Sequence, residues 1–109
     1  MDVNMYRLNI PEPREIYNNL KASAKRRKIE FTLDITDIYM LSIPLTCPVL
    51  GLPLHWYRGK AQDNTPSIDR IDSSLGYLVD NIEIISLKAN RAKNNLTVAE
   101  IIKLGIYYH

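Results

Sequence analysis

Ser67-Ile68-Asp69-Arg70-Ile71-Asp72, followed by Gly76-Tyr77, Asn81-Ile82-Glu83-Ile84-Ile85-Ser86 and Ala89-Asn90-Arg91-Ala92-Lys93-Asn94, is the stretch whose reading decides the fold. Ile68 to Asp72 reads as a short strand, Ser73 to Gly76 as a turn, and Asn81 to Ile85 as a second strand with Ile82 and Ile84 on one face. Ser86 then caps a helix over Leu87 to Asn94. With Asp69 at the end of the first strand and Asn90 one turn into the helix across it, a carboxylate and a carboxamide can meet on one face. Hard oxygen donors of this kind suit magnesium or a similar divalent cation, and two protein oxygens leave most of the coordination shell to water and a phosphate. Asn81 is placed to hydrogen-bond across the hairpin and fix its geometry.

Outward from this core, Pro11 and Pro13 prepare a helix running to about Arg27, with Glu12 and Glu15 near its positive end. Its apolar stripe is Ile16, Tyr17, Leu20 and Ala24. Ile29, Phe31 and Leu33 alternate with polar residues and predict a half-buried strand. Thr36-Asp37 can cap a short helix over Ile38 to Leu41. Cys47-Pro48-Val49-Leu50-Gly51-Leu52-Pro53-Leu54 has too many prolines for a central strand and reads as a compact apolar loop or hairpin. Arg58 to Pro66 is a polar loop, and Thr97 with Glu100 forms a capping box for a last helix ending at Gly105. Residues 1–10 show no clear period and read as an arm or a short edge segment. The fold class predicted is α+β, in one domain spanning residues 1–109, with a basic helix at one end and a further helix at the other.

The 109 residues carry a net charge of +2, with 46 % hydrophobic and 24 % charged residues, ordinary values for a globular chain. No apolar run approaches the ~20 residues of a membrane span, and the amino terminus lacks the order of a signal peptide, so a cytoplasmic location and no membrane partner are expected. The single cysteine, Cys47, rules out an internal disulfide and a thiolate zinc knuckle. The positive charge is grouped: Lys21, Lys25, Arg26, Arg27 and Lys28 in one cluster, Lys88, Arg91, Lys93 and Lys103 in another. Such clusters are either solvated faces or phosphate-contacting surfaces.

The order of these segments resembles the HNH, or ββα-metal, nuclease family, and within it a branch of small phage-encoded proteins. The residues carrying the resemblance are the Cys-Pro-Val-Leu-Gly-Leu-Pro-Leu run at 47–54, Ser67 to Asp72, Gly76-Tyr77, Asn81-Ile82 and Ala89 to Lys93, within roughly residues 20–103. The resemblance implies a ββα core, with its preceding Cys-Pro loop, over 47–94. It also implies that Asp69 and Asn90 bind Mg2+ or Mn2+, that Asn81 is the middle Asn of the motif, and that Lys93 lies beside the phosphate. DNA is the implied substrate, gripped by Lys21, Lys25, Arg26, Arg27, Lys28, Lys88 and Arg91. The resemblance further implies hydrolysis that leaves 5′-phosphate and 3′-hydroxyl ends, with phage packaging or recombination proteins in the bacterial host cell as partners to consider. Related nucleases often carry a zinc-binding Cys-x-x-Cys where this chain has Cys47 and Leu50, so apolar packing is expected in place of a structural zinc.

One position departs from the family. Where the motif's first His stands, this chain has Arg70, and a guanidinium cannot accept a proton at neutral pH. Three readings stay open: Arg70 clamps the scissile phosphate with His55 as substitute base, Asp72 helps position the water, or the site is a silent DNA-binding module on the same scaffold.

Overall fold

The computed structural model describes residues 10–109; the arm expected over residues 1–10 lies outside them except for Ile10. Helix α1 runs over Pro13–Arg26, with Pro13 in the first turn, where no amide hydrogen is needed, and Glu15 near the positive end of the dipole. Helix α2, Ile35–Tyr39, begins three residues before the expected start. Its cap is Asp34, which accepts from the Asp37 amide while the Asp37 carboxylate accepts from the Asp34 amide. Strands β1 (Pro66–Arg70) and β2 (Ile82–Ser86) form an antiparallel pair. Between them the chain makes a turn and a 3₁₀ helix over Val79–Asn81. Asn81 therefore closes that turn of helix instead of opening β2.

Helix α3, Leu87–Lys93, follows β2 without a loop. Ser86 ends the strand and caps the helix through its hydroxyl, which accepts from the Ala89 amide, while the Leu87 and Lys88 amides donate to the carbonyls of Thr65 and Asp63. The direct junction folds α3 back across both strands. Helix α4, Val98–Tyr107, starts with the expected Thr97–Glu100 capping box but passes through Gly105. Gly105 does not adopt the left-handed conformation with which glycine ends a helix, and Tyr108 still donates to the Leu104 carbonyl.

The strand expected over Ile29–Leu33 is reduced to a single bridge, Phe31 to Tyr77. Along it the Thr32 amide donates to the Tyr77 carbonyl and the Tyr77 amide to the Glu30 carbonyl, before Asp34 turns the chain into α2. The approach there is close: a Cβ on Gly76 would lie 2.4 Å from the Glu30 carbonyl oxygen. Gly76→Ala should therefore destabilise the protein by about 1–3 kcal/mol, as overpacking against backbone does, measured as a lowered urea midpoint with an unchanged slope.

Two apolar groups make the core. Cys47, Leu54, Ile84, Ile85 and Ala89 lie under α3 and the Cys-Pro loop, which closes as a hairpin-like turn through the Thr46 to Pro53 bridge. Ala24, Leu33, Ile38 and Tyr77 join α1 and α2 to the hairpin, with Leu41 and Ile68 packed against both groups. Cys47 is 2 % exposed, and its sulfur accepts from the amides of Ser86 and Leu50. Burial pushes the thiol up, but the hydrogen bonds from Ser86, Leu50 and Val49 together outweigh it and bring it to about 7. Among the described residues, no helix is long and apolar enough to cross a membrane.

Candidate functional site

Residues two apart on a strand share a face, and directly opposed residues of an antiparallel pair share it too. Ser67 and Asp69 of β1 therefore point the same way as Glu83 of β2, whose register partner is Asp69. Helix α3 packs over this face and contributes Asn90 and Lys93, three residues apart and hence on one side of the helix. The Asn90 amide nitrogen donates to Ser67 Oγ at 2.8 Å and to the Ile68 carbonyl at 3.2 Å, which turns the amide's oxygen branch away from β1. Lys93 Nζ donates to Asp69 Oδ2 at 2.8 Å, to the Ile71 carbonyl at 3.1 Å, and to the Arg70 carbonyl. Asp69 is 4 % exposed, so this is a buried ion pair.

Glu83 is a site residue that the motif did not point to. Burial, and then the hydrogen bond and like charge of the Asp69 carboxyl, raise its pKa above the ordinary glutamate value. A carboxyl that holds its proton more tightly folded than unfolded lends stability at low pH, and that contribution is lost as pH rises through the raised value. Glu83→Gln should thus stabilise the protein above the raised Glu83 value and flatten the fall in melting temperature as pH rises past the ordinary glutamate value. An unchanged pH profile would show that Glu83 carries no such burden.

The remaining candidates divide. Asn81 performs the expected brace: its oxygen accepts from the Asp72 amide, and its nitrogen donates to the carbonyls of Asp72 and Gly76. Asp72 accepts from Ser74, whose hydroxyl and then backbone amide hold the carboxyl below its ordinary range. Arg70 sits on the opposite face of β1 from Asp69 and is 9 % exposed. It donates to the carbonyls of Ser73 and Leu75, reaches Asn95, and stacks 5.6 Å over the Tyr77 ring. This places the guanidinium inside the β1–β2 connection, where it satisfies part-buried turn carbonyls, and not on the Asp69 face where the phosphate-clamp reading would use it. His55 precedes the polar loop, with its amide bonded to the Asn64 carbonyl and its ring edge-on to Tyr57 at 4.5 Å.

The basic cluster divides as well. Arg27 donates to the Tyr77 hydroxyl and to Asn95, the same carboxamide oxygen that receives Arg70, and Lys21 lies over the Tyr17 ring. Lys25, Arg26 and Lys28 are exposed, as are Lys88 and Arg91 on the outer side of α3. Asn95 and Ser73, which tie the hairpin to the α3–α4 junction, carried no sequence signal, since single Asn and Ser residues are common in loops.

Among the described residues, no group of three or more His, Cys, Asp or Glu side chains is placed to hold a metal ion, and every buried side-chain nitrogen or oxygen has a hydrogen-bond partner. Asp69 and Glu83 set two carboxylates opposite each other, hard oxygen ligands of the kind magnesium takes with water and phosphate completing its shell, and Asn90 borders them with its amide nitrogen on Ser67 and Ile68.

No protein-family model matches the chain, and no solved structure matches it. It is similar to a protein of Enterobacteria phage T4 described as an uncharacterized 29.0 kDa protein in the dda-modA intergenic region, 29 % identical over 83 residues. That match covers 76 % of this chain and 32 % of the phage protein, so the chain spans about a third of the relative's length.

Proposed function

We propose that β1, β2 and α3 form the ββα-metal unit of an HNH-like, divalent-metal-dependent DNA endonuclease. The observation that carries this reading is the meeting of Asp69, Glu83, Asn90 and Lys93 on one face of the hairpin under α3. The phage source of the similar protein agrees with an enzyme acting on DNA in an infected cell.

Asp69, Glu83 and Asn90 would hold Mg2+ or Mn2+, which when bound supplies Lewis acidity at the phosphate and charge for the leaving 3′ oxygen. Lys93 offsets negative charge beside the scissile phosphate, and Asn81 and Arg70 hold the connection from which β1 and β2 present the carboxylates. Lys25, Arg26, Lys28, Lys88 and Arg91 bind the DNA backbone without reading sequence. Because Arg70 cannot accept the proton of the attacking water, His55 takes it. His55→Ala tests that assignment, and a wild-type rate in the variant removes it.

A second reading, a silent DNA-binding accessory protein on the same scaffold, is favoured by the lysine that already pairs with Asp69. Supercoiled plasmid separates the two. Nicked or linear DNA should form with magnesium or manganese and not with chelator; retention of DNA with no cleavage under any divalent ion establishes the accessory role.

A further inference from the structure

The polar loop before β1 folds into a cleft of about 540 Å³ against α3. Its walls are Tyr57, Lys60, Gln62, Asp63 and Asn64 of the loop and Arg91 of the helix. Three features make it a built site. The loop is fixed: the Gln62 amide donates to Thr65 Oγ1 at 2.8 Å, Asn64 Nδ2 donates to the Pro53 carbonyl at 2.8 Å, and the Asp63 carbonyl accepts from the Lys88 amide at 2.9 Å. Its aromatic residue is held but not covered, since Tyr57 is 37 % exposed and steadied by the edge-on His55 ring. Its charge is net positive, with Lys60 and Arg91 against Asp63.

The cleft also borders the candidate centre. Arg91 follows Asn90 in α3, and Thr65, which closes the loop, lies two residues before Ser67, the hydroxyl that Asn90 binds. The volume lies within the range of small-ligand sites of about 300–1,000 Å³. An exposed aromatic face with flanking cations is the combination that holds single nucleic-acid strands, the ring stacking on a base and the cations meeting phosphate.

We propose that this cleft binds one nucleotide unit of the DNA strand next to the scissile phosphate, with Tyr57 stacking on its base and Lys60 and Arg91 on its phosphates. The proposal rests on the endonuclease reading for its position beside the cut, but the binding itself needs no metal.

The test is therefore made in chelator. Binding of a fluorescent single-stranded oligonucleotide is measured for the wild type, Tyr57→Phe, Tyr57→Ala and Lys60→Ala/Arg91→Ala across a salt series. Tyr57→Ala should weaken binding roughly tenfold and Tyr57→Phe hardly at all, as loss of one stacked base does. The double variant should lower the log–log salt slope by about 1.4, two phosphate contacts on a single strand. A free nucleoside monophosphate should compete only at concentrations at least about a hundredfold above those of the oligonucleotide, as expected when a strand makes several contacts and the monomer one.

Wild-type affinity and slope in all variants overturn the proposal, as does equal competition by the mononucleotide, which would make the cleft a site for free nucleotides. Pocket-dependent binding in a protein that never cleaves leaves this assignment standing and removes the endonuclease reading. Cleavage with no pocket dependence of binding does the reverse.

Discussion

Asp69→Asn and Asn90→Ala are each expected to cut the magnesium-dependent cleavage rate by roughly a thousandfold or more, about 4 kcal/mol of transition-state stabilisation. The size follows from the small donor set the proposal assigns: with Asp69, Glu83 and Asn90 as the protein ligands, the loss of any one would remove a large share of the hold on the ion. Asparagine is the informative replacement at Asp69, because it keeps an oxygen acceptor for Lys93 while removing the charge. Circular dichroism should be unchanged, and the rise in melting temperature that magnesium gives the wild type should vanish in both variants. Full cleavage by Asp69→Asn, with the magnesium-induced shift retained, would remove this face of the hairpin from consideration.

Lys93→Met should be the most destabilising single change in the site, by about 3–5 kcal/mol, the typical cost of removing one partner of a buried ion pair. Three acceptors lose their donor at once: Asp69 Oδ2 and the carbonyls of Arg70 and Ile71, where β1 leaves the sheet. Methionine preserves much of the apolar stem, so the loss reports the ammonium and not the packing. The Asp69 carboxylate would then face Glu83 with no cation between α3 and the sheet. Millimolar magnesium should accordingly restore part of the lost stability, and chemical denaturation with and without the ion measures both effects. A variant as stable as the wild type would show that Lys93 is a solvated surface lysine, contrary to its 13 % exposure.

The local signals were legible because each depends on a few adjacent residues. The Pro-started helix, the Ser86 cap, the Thr97–Glu100 box and the two short strands are all written in spacings of two to four residues. The placing of Asp69 on a strand and Asn90 on the helix across it followed from strand alternation and helical phase, while Lys93 was pointed to by the family resemblance. Glu83 was not. Its place opposite Asp69 depends on the register of the pair, and eleven residues, 71–81, with a turn of 3₁₀ helix, separate the strands. A tight two-residue turn fixes register; a connection of this length leaves it to packing.

Arg70 and Arg27 illustrate the same limit. From sequence alone, arginines beside a motif and within a basic run look like phosphate ligands, whereas in the fold both converge on the Asn95 oxygen and on Tyr77. Nothing within a few residues of either predicts this, since Asn95 lies 68 residues from Arg27 and 25 from Arg70. The sequence by itself determined the Pro-started helix, the paired strands around Ile68 and Ile84 and the capped helices after Ser86 and Thr97, because those follow from local sterics and periodicity, whereas the strand expected over Ile29–Leu33 shrank to one bridge. The tertiary structure alone decided which charges are spent inside and which face solvent, because that depends on which distant carbonyls and carboxylates are buried and need a donor.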